Sequence, residues 1–247
     1  TAISLVAVVA LVALVLQRFY VTGQLSVHYW YFFTHLSTWK FLLAGFEGTV
    51  KVALTAGAIA LVLGLGLMLG RTSDIKPLQL VCRVLTDFFR GVPSLLFIYF
   101  FFLVLPQYKI ALPSFWMLTL PVALAAAGVL AEIFRAGILA VDKGQMEAAR
   151  SLGLSNWQSM RLVVLPQAIK NVLPALANEL VTMVKESSIC SMLGMAEIMY
   201  TAQTVSGNSY ITLAPYVLAA LVYFCINYPA SKGIEAIERR MRRGDKQ

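Results

Sequence analysis

Long apolar runs separated by short polar breaks dominate this chain, and five are long enough to cross a bilayer, which takes about 20 predominantly apolar residues. They lie at 41–70, 80–105, 115–140, 172–199 and 213–234, and they predict five core transmembrane helices in an all-α, polytopic membrane protein. Between them fall 71–76, closed by Pro77, a brief link at 106–113, and 200–210, whose Ser, Gly and Asn read as a turn. Residues 2–16 are also apolar, ending at Gln17-Arg18, about the length of a signal h-region and short for a span. Phe19 and Tyr20 extend that run into an interfacial anchor and no basic stretch precedes it, so it reads as one extra N-terminal helix. A disordered or cleaved leader is the alternative. Residues 24–40, crowded with Trp30, Trp39, Tyr and Phe, suit the headgroup layer, where His28 and His35 serve as polar tips rather than ligands. Within the first core span, Gly57, Gly64, Gly66 and Gly70 offer places where another helix can approach closely.

One polar stretch interrupts the apolar pattern differently. Residues 144–152, rich in Ala, Glu, Met and Arg, predict a short helix, and Gly153 stands where a left-handed C-cap would end it. Ser155, followed three residues later by Gln158, is a capping box that starts a second helix at once. Trp157, Met160, Val163 and Val164 fall at helical spacings on its apolar face, with Arg161 off that stripe and Pro166 closing the helix. A sharp bend at Gly153 between two amphipathic helices is the shape of a docking element. An ordinary amphipathic helix on the bilayer surface is the plainer reading.

Composition agrees with the membrane assignment: 59% of the residues are hydrophobic and 13% charged, with a mean hydropathy of +0.76. The formal charge of +8 would suggest nucleic acid in a soluble chain; here its distribution matters instead, and no nucleic-acid partner is expected. Of the 20 Lys and Arg, 13 fall on the side of the docking stretch: Arg71, Lys76 and Arg83, then four between 143 and 170, then six from Lys232 onward. The positive-inside rule therefore puts that stretch and the C-terminal end in the cytoplasm. Cys82, Cys190 and Cys225 are odd in number and unpatterned, so neither a disulfide framework nor a metal site is expected. No Gly is followed by Lys, so there is no phosphate-cradling G-x-x-x-x-G-K-[ST] loop, and no nucleophile elbow or HExxH occurs. The chain is not expected to be an enzyme, to hydrolyse ATP itself or to hold a cofactor.

Glu147-Ala148-Ala149, Gly153, and then Val163, Leu165 and Pro166 resemble the EAA loop of permease subunits of ATP-binding-cassette (ABC) importers. Arg90-Gly91-Val92-Pro93 is similar to the RGTP-type motif of the polar amino-acid permeases in that family. Residues Glu132-Ile133-Phe134-Arg135-Ala136-Gly137-Ile138 are similar to their EIFRGGI-type motif, and Leu165-Pro166-Gln167-Ala168 to their LPQA signature. Lys185-Glu186-Ser187-Ser188 is a looser match to a lysine-acid-small-Ser pattern. Val92, Ala136 and Val163 depart from the usual residues. The resemblance, which runs from about residue 41 to 244, implies a type I ABC importer permease fold divided in three parts. Residues 1–40 would be the extra helix and aromatic interfacial segment, 41–234 the permease core with its coupling loop at 141–170, and 235–247 a basic cytoplasmic tail. It further implies a multi-pass protein of a prokaryotic plasma membrane, ABC ATPase subunits seated on the loop, and a second permease subunit, the same or paralogous. An extracytoplasmic solute-binding protein and an amino-acid substrate complete the expected partners. Glu147, Ala148, Ala149, Gly153 and Pro166 would carry the coupling.

Ionisable residues at membrane depth cost about 2.5–3.5 kcal/mol each at a helix centre, so they are expected to face a cavity or a partner. The candidates are Asp87, Arg90, Glu132, Arg135, Lys185 and Glu186. Asp87 with Arg90, and Glu132 with Arg135, are spaced i,i+3 and could neutralise one another along their own helices. As a pathway set, Arg90 suits a substrate carboxylate and Glu132 an ammonium group, with Pro93 breaking the second span beside them. Two other function classes fit buried charges: a stand-alone secondary transporter or channel, and a non-transporting membrane scaffold. The first leaves the docking stretch unexplained and lacks room for a second inverted half.

Overall fold

The computed structural model describes residues 2–244, and among these every regular element is a helix or helical turn. Helix α1 (Ala2–Val21) is exposed from Ser4 to Arg18, and its half-buried Phe19 lies beside Leu213 and Tyr216. After α2 (Val27–Trp30) and a 3-10 turn at Tyr31–Thr34, the aromatic segment folds on itself: Phe32 is buried against Ile211 and Ala214. The indole N–H groups of Trp30 and Trp39 donate to the carbonyls of Gln24 and Phe33, at 2.9 and 2.8 Å.

Helix α3 (Leu36–Arg71) is 36 residues long, about 54 Å at 1.5 Å per residue, and forms the spine of the bundle. Its small residues are where neighbours come close. A Cβ on Gly57 would meet Leu180 at 2.7 Å, one on Gly64 would meet Leu130 at 2.8 Å, and one on Gly48 would overlap the Ala196 carbonyl. Ala56 and Ala60 are fully buried with Ile98, Leu118, Val122 and Met183 in the main core.

The second apolar run is not one straight span. Helices α4 (Lys76–Gly91) and α5 (Ser94–Tyr99, continued by a π turn at Phe100–Val104 and a 3-10 turn at Leu105–Tyr108) meet at 100°. Pro93 lacks an amide hydrogen and pushes Val92 into extended backbone (φ −97°, ψ 131°), so the helix stops there. Helix α6 (Ser114–Leu139) runs the full span and leads into α7 (Lys143–Ser151) and the one-turn α8 (Asn156–Ser159). A π turn at Met160–Val164 then joins α8 to α9 (Leu165–Glu186) without a break.

The expected fourth span, 172–199, is corrected: α9 starts earlier and ends at Glu186, and Ser187–Leu193 is a 3-10 turn buried at Ser187, Cys190 and Ser191. The expected turn at 200–210 is also corrected, since all of it but the left-handed cap Tyr210 lies within α10 (Ile198–Ser209). The cause is Glu197, fully buried, whose carboxylate caps that helix by accepting from the Tyr200 amide at 2.6 Å. Helix α11 (Leu213–Gly244) carries the last span and the start of the basic tail as one helix, because 235–244 is dominated by good helix formers; Lys246 lies outside the described residues.

Helices α1, α3, α6 and α11 are long and apolar enough to span a membrane, and the bent α4–α5 pair makes a fifth crossing if counted as one. Helix α9 falls short by composition, carrying Lys170, Asn171, Asn178, Glu179, Lys185 and Glu186, yet it packs within the bundle against α3, α6 and α11. The core is thus α3, α4–α5, α6, α9 and α11, with α1 outside it.

Gly48→Ala should lower stability by about 1–3 kcal/mol, because its methyl meets a backbone carbonyl that cannot swing aside. Thermal unfolding in detergent checks this, with Gly66→Ala, which meets nothing within 4 Å, as the near-neutral comparison.

Candidate functional site

The bend between α7 and α8 is built from local hydrogen bonds. Asp142 caps α7 by accepting from the Gly144 amide at 2.6 Å. At the other end the Gly153 amide donates to the Arg150 carbonyl at 2.9 Å and the Leu154 amide to Ala149 at 3.2 Å, the paired bonds of a Schellman cap. Gly153 takes φ +87°, the left-handed conformation that a side chain resists. Ser155 and Gln158 form both bonds of the capping box, at 3.2 and 2.9 Å. The turn therefore has one defined angle.

The loop is fastened to the bundle from beneath. Val141, Val164 and Ala168 form a buried cluster with Ile138, Met146 and Met160 around it. Gly137 of α6 admits Val172 of α9 into contact, and Gln167 donates to Gln145 at 3.3 Å across from α9 to α7. Two sequence expectations change here. Pro166 does not close the second helix but sits in the first turn of α9, where the preceding π turn opens the hydrogen-bond ladder that a proline would otherwise break. That same extra residue shifts the helical register, so Met160 and Val164 face inward while Trp157 is turned out, 70% exposed. Leu152, 84% exposed, Glu147 and Ala148 face outward with it, and Ala149 faces the chain itself.

The second polar constellation lies near the same end of the bundle. Glu132 of α6 accepts from Arg71 Nη1 at the end of α3 at 2.8 Å and from Arg135 Nε at 3.1 Å, with Arg135 Nη2 also bonded to it. Arg90 Nη1, at the end of α4, is 3.8 Å from its Oε2. One carboxylate is thus surrounded by three guanidinium groups from three helices. Arg71 was not among the charges expected from sequence: it is 61 residues from Glu132, and nothing in that spacing brings the two together.

Asp87 is exposed on α4, and no ion pair joins it to Arg90 among the described residues. Lys185 and Glu186 sit at the opposite end of α9 from the loop. Glu179, absent from the expected set, lies seven residues before Glu186 and so on the same helix face; that two-turn spacing was the available signal. Asn171, Asn178 and Lys185 are exposed along α9 beside them. Glu197 was also missed; besides capping α10 it accepts from the Tyr223 hydroxyl at 2.6 Å. No group of His, Cys, Asp and Glu among the described residues could hold a metal ion.

A multi-helix membrane bundle with one broken span, a polar helix inside it and a rigid bent loop at one end has the parts that a membrane transport component needs. Residues 62–243 match the family described as binding-protein-dependent transport system inner membrane component, and the chain belongs to that family. The arginine transport system permease protein ArtQ of Bacillus subtilis (strain 168) is 35% identical over 206 residues, 83% of this chain and 94% of that protein. The glutamate transport system permease protein GluD of Corynebacterium glutamicum is 35% identical over 227 residues, 90% of this chain and 83% of that protein. Among solved structures, one chain of an amino acid ABC transporter crystallised with histidines superposes with a TM-score of 0.81 at 37% identity, covering 85% of this chain and 98% of that one. The inward-facing MetNI methionine ABC transporter, at 19% identity and a TM-score of 0.63, shares the fold over 82% of this chain and 99% of that one. The chain is a multi-pass permease component with the type I fold.

Gly153→Ala should cost the bend about 1–2 kcal/mol, the penalty of a Cβ in the left-handed region, without touching the bundle. Amide exchange at Leu154 should accelerate about tenfold while the global unfolding midpoint stays put.

Proposed function

We propose that this chain imports a polar amino acid as the membrane-spanning subunit of an ATP-driven transporter, and that residues 141–170 seat a separate ATPase. The observation that carries the reading is the fastened elbow. Its angle is fixed by a Schellman cap and a capping box, it is buried from below, and it presents Leu152, Trp157 and Glu147 outward. Two large apolar side chains held out on a rigid turn are a contact surface for a protein. A Cβ at Gly153 would meet nothing within 4 Å in this chain, which leaves that position open to a partner. The excess of basic residues on their side supports a cytoplasmic position for the elbow and the C-terminal end, in the prokaryotic plasma membrane this reading assigns, where an ATPase can reach them.

Two copies, or this chain and a paralogue, form the path between them, and an extracytoplasmic binding protein delivers the solute. ATP-driven closure of the ATPases draws the elbows together and turns the path outward; hydrolysis returns it. The division into 1–40, 41–234 and 235–247 follows this assignment, with the first segment as membrane anchor.

An amino acid is the solute class most consistent with relatives named for arginine and glutamate transport. Glu132 is a poor site for an ammonium group, since three arginines already surround it and their surplus charge repels a cation. Glu179 and Glu186 take that role better. They lie on α9 near Leu180 and Met183, which contact the middle of α3 at Gly57, and so stand at mid-membrane depth. Arg90, with its side chain 43% exposed, remains free enough to meet a carboxylate, and Asp87, Arg135 and Lys185 shape the local charge.

Reconstituted with its ATPase and binding protein, Gly153→Asp should abolish uptake and solute-stimulated ATP hydrolysis while leaving insertion intact; normal uptake by this variant would overturn the elbow as a coupling element. Glu179→Gln should raise the KM for uptake about tenfold, the loss of one charge-assisted hydrogen bond. An unchanged KM would remove Glu179 from the path.

A further inference from the structure

We propose that Glu132 is the positioning residue through which movement of the elbow reaches α3 and the bend between α4 and α5; this rests on the coupling role given to residues 141–170. The end of α6, the elbow and the start of α9 form one body. Only Ala140, Val141 and Asp142 separate α6 from α7, the buried cluster around Val141, Val164 and Ala168 closes the gap, and Val172 is seated in contact with Gly137. A force on α7 is therefore delivered to the lower turns of α6 rather than absorbed in a loose connection.

Glu132 is where that body grips its neighbours by charge. It lies seven residues, about 10 Å of helical rise, before the end of α6, and holds Arg71 of α3 at 2.8 Å through one oxygen. Its other oxygen is held by Arg135 of its own helix, which fixes the carboxylate's direction. Arg90 stands 3.8 Å away, within ion-pair range and beyond hydrogen-bond range. This contact can tighten or open without unseating the other two. Arg90 also immediately precedes Gly91, Val92 and Pro93, where the chain turns by 100°, and a Cβ on Gly91 would meet nothing within 4 Å. One side of the bend is open at Gly91 while Phe97 packs edge-on against Phe88 and Phe89 across it, and the side chain that would feel a change of angle is in the field of Glu132. Apolar contacts alone, such as Leu130 against Gly64, would let α6 slide; a charged group with fixed partners transmits direction.

The test uses the complete transporter in proteoliposomes, with solute moved per ATP hydrolysed as the readout. Glu132→Gln keeps the side chain's shape and removes its charge; solute per ATP should fall about tenfold, within the range a coupling free energy usually spans, with ATP hydrolysis within about twofold of wild type. Arg71→Lys keeps the charge and loses the guanidinium fork, so the complex should assemble and the ratio fall about threefold. Gly153→Asp is run alongside. A wild-type ratio in either assembled Glu132 or Arg71 variant, with Gly153→Asp defective, overturns the role of Glu132 and leaves the elbow standing. A wild-type ratio in Gly153→Asp removes the premise itself.

Discussion

Close approach of helices at the small residues of α3 is the constraint on which the rest of this structure depends. Inside a bilayer no hydrophobic force drives one helix against another, because lipid tails are as apolar as leucine, so association rests on packing and on polar contacts. Helix α3 meets that demand with Gly48, Ala56, Gly57, Ala60 and Gly64, each placed where another element comes within contact distance. At Gly57 the neighbour is α9, at Gly64 it is α6, and at Gly48 it is the backbone just ahead of α10. Larger residues there would hold the bundle apart, and the polar helix α9 would lose the cover that lets it sit within it.

The same setting explains where regular helix is abandoned. Backbone groups in hydrocarbon must find partners within the protein, so irregular segments occur where the protein encloses them. The turn at Ser187–Leu193 is buried at Ser187, Cys190 and Ser191, and the chain behind it closes its own bonds: Gly194 to Ser191 at 3.0 Å and Met195 to Cys190 at 3.3 Å. Glu197 follows the same logic with a side chain. Its carboxyl group is fully buried but faces donors, the Tyr200 amide and the Tyr223 hydroxyl, at the N-terminus of a 12-residue helix. The far end of the bundle is thereby pinned to α3 and α11. The loop end has its own fixed points in the Val141 cluster and Glu132.

What could be read from the residues alone follows the range of the interactions involved. The caps of the elbow were legible because Gly153 and the Ser155–Gln158 pair act within a few residues, and both formed as expected. The break at Pro93 was legible for the same reason. Pro166 was misread because a proline's effect depends on the hydrogen bond it would interrupt, and the π turn before it had already removed that bond. Trp157 turned outward for the same cause, a register shift that a 3.6-residue count does not contain. The stretch 200–210 looked like a turn from its Ser, Gly and Asn. Its helical state is decided by Glu197, whose partners Thr49 and Tyr223 are 148 and 26 residues away, so no local rule could weigh them. The charges divide likewise: Glu132 with Arg135 is a local pair and was foreseen, whereas Arg71 arrives through the packing of α3 on α6.

These interactions have a direction. A transport subunit driven from outside itself needs stiffness where work enters and compliance where a path must open. The elbow satisfies the first condition at every bond: its cap, its capping box and its underside are closed within the chain, so Leu152 and Trp157 are left facing outward by rigid geometry rather than by looseness. The second condition falls to the bend of α4 and α5, where Val92 leaves the helix and a Cβ on Gly91 would meet nothing within 4 Å, while Phe97 packs against Phe88 and Phe89 across it. Glu132 stands between the two, bonded firmly to the stiff side and held to the compliant side by a longer contact. Had Arg90 been bonded as closely as Arg71, elbow and bend would be one body; had it been out of range, the elbow would move alone. A contact of intermediate length is what lets the bend respond to the elbow without being fused to it.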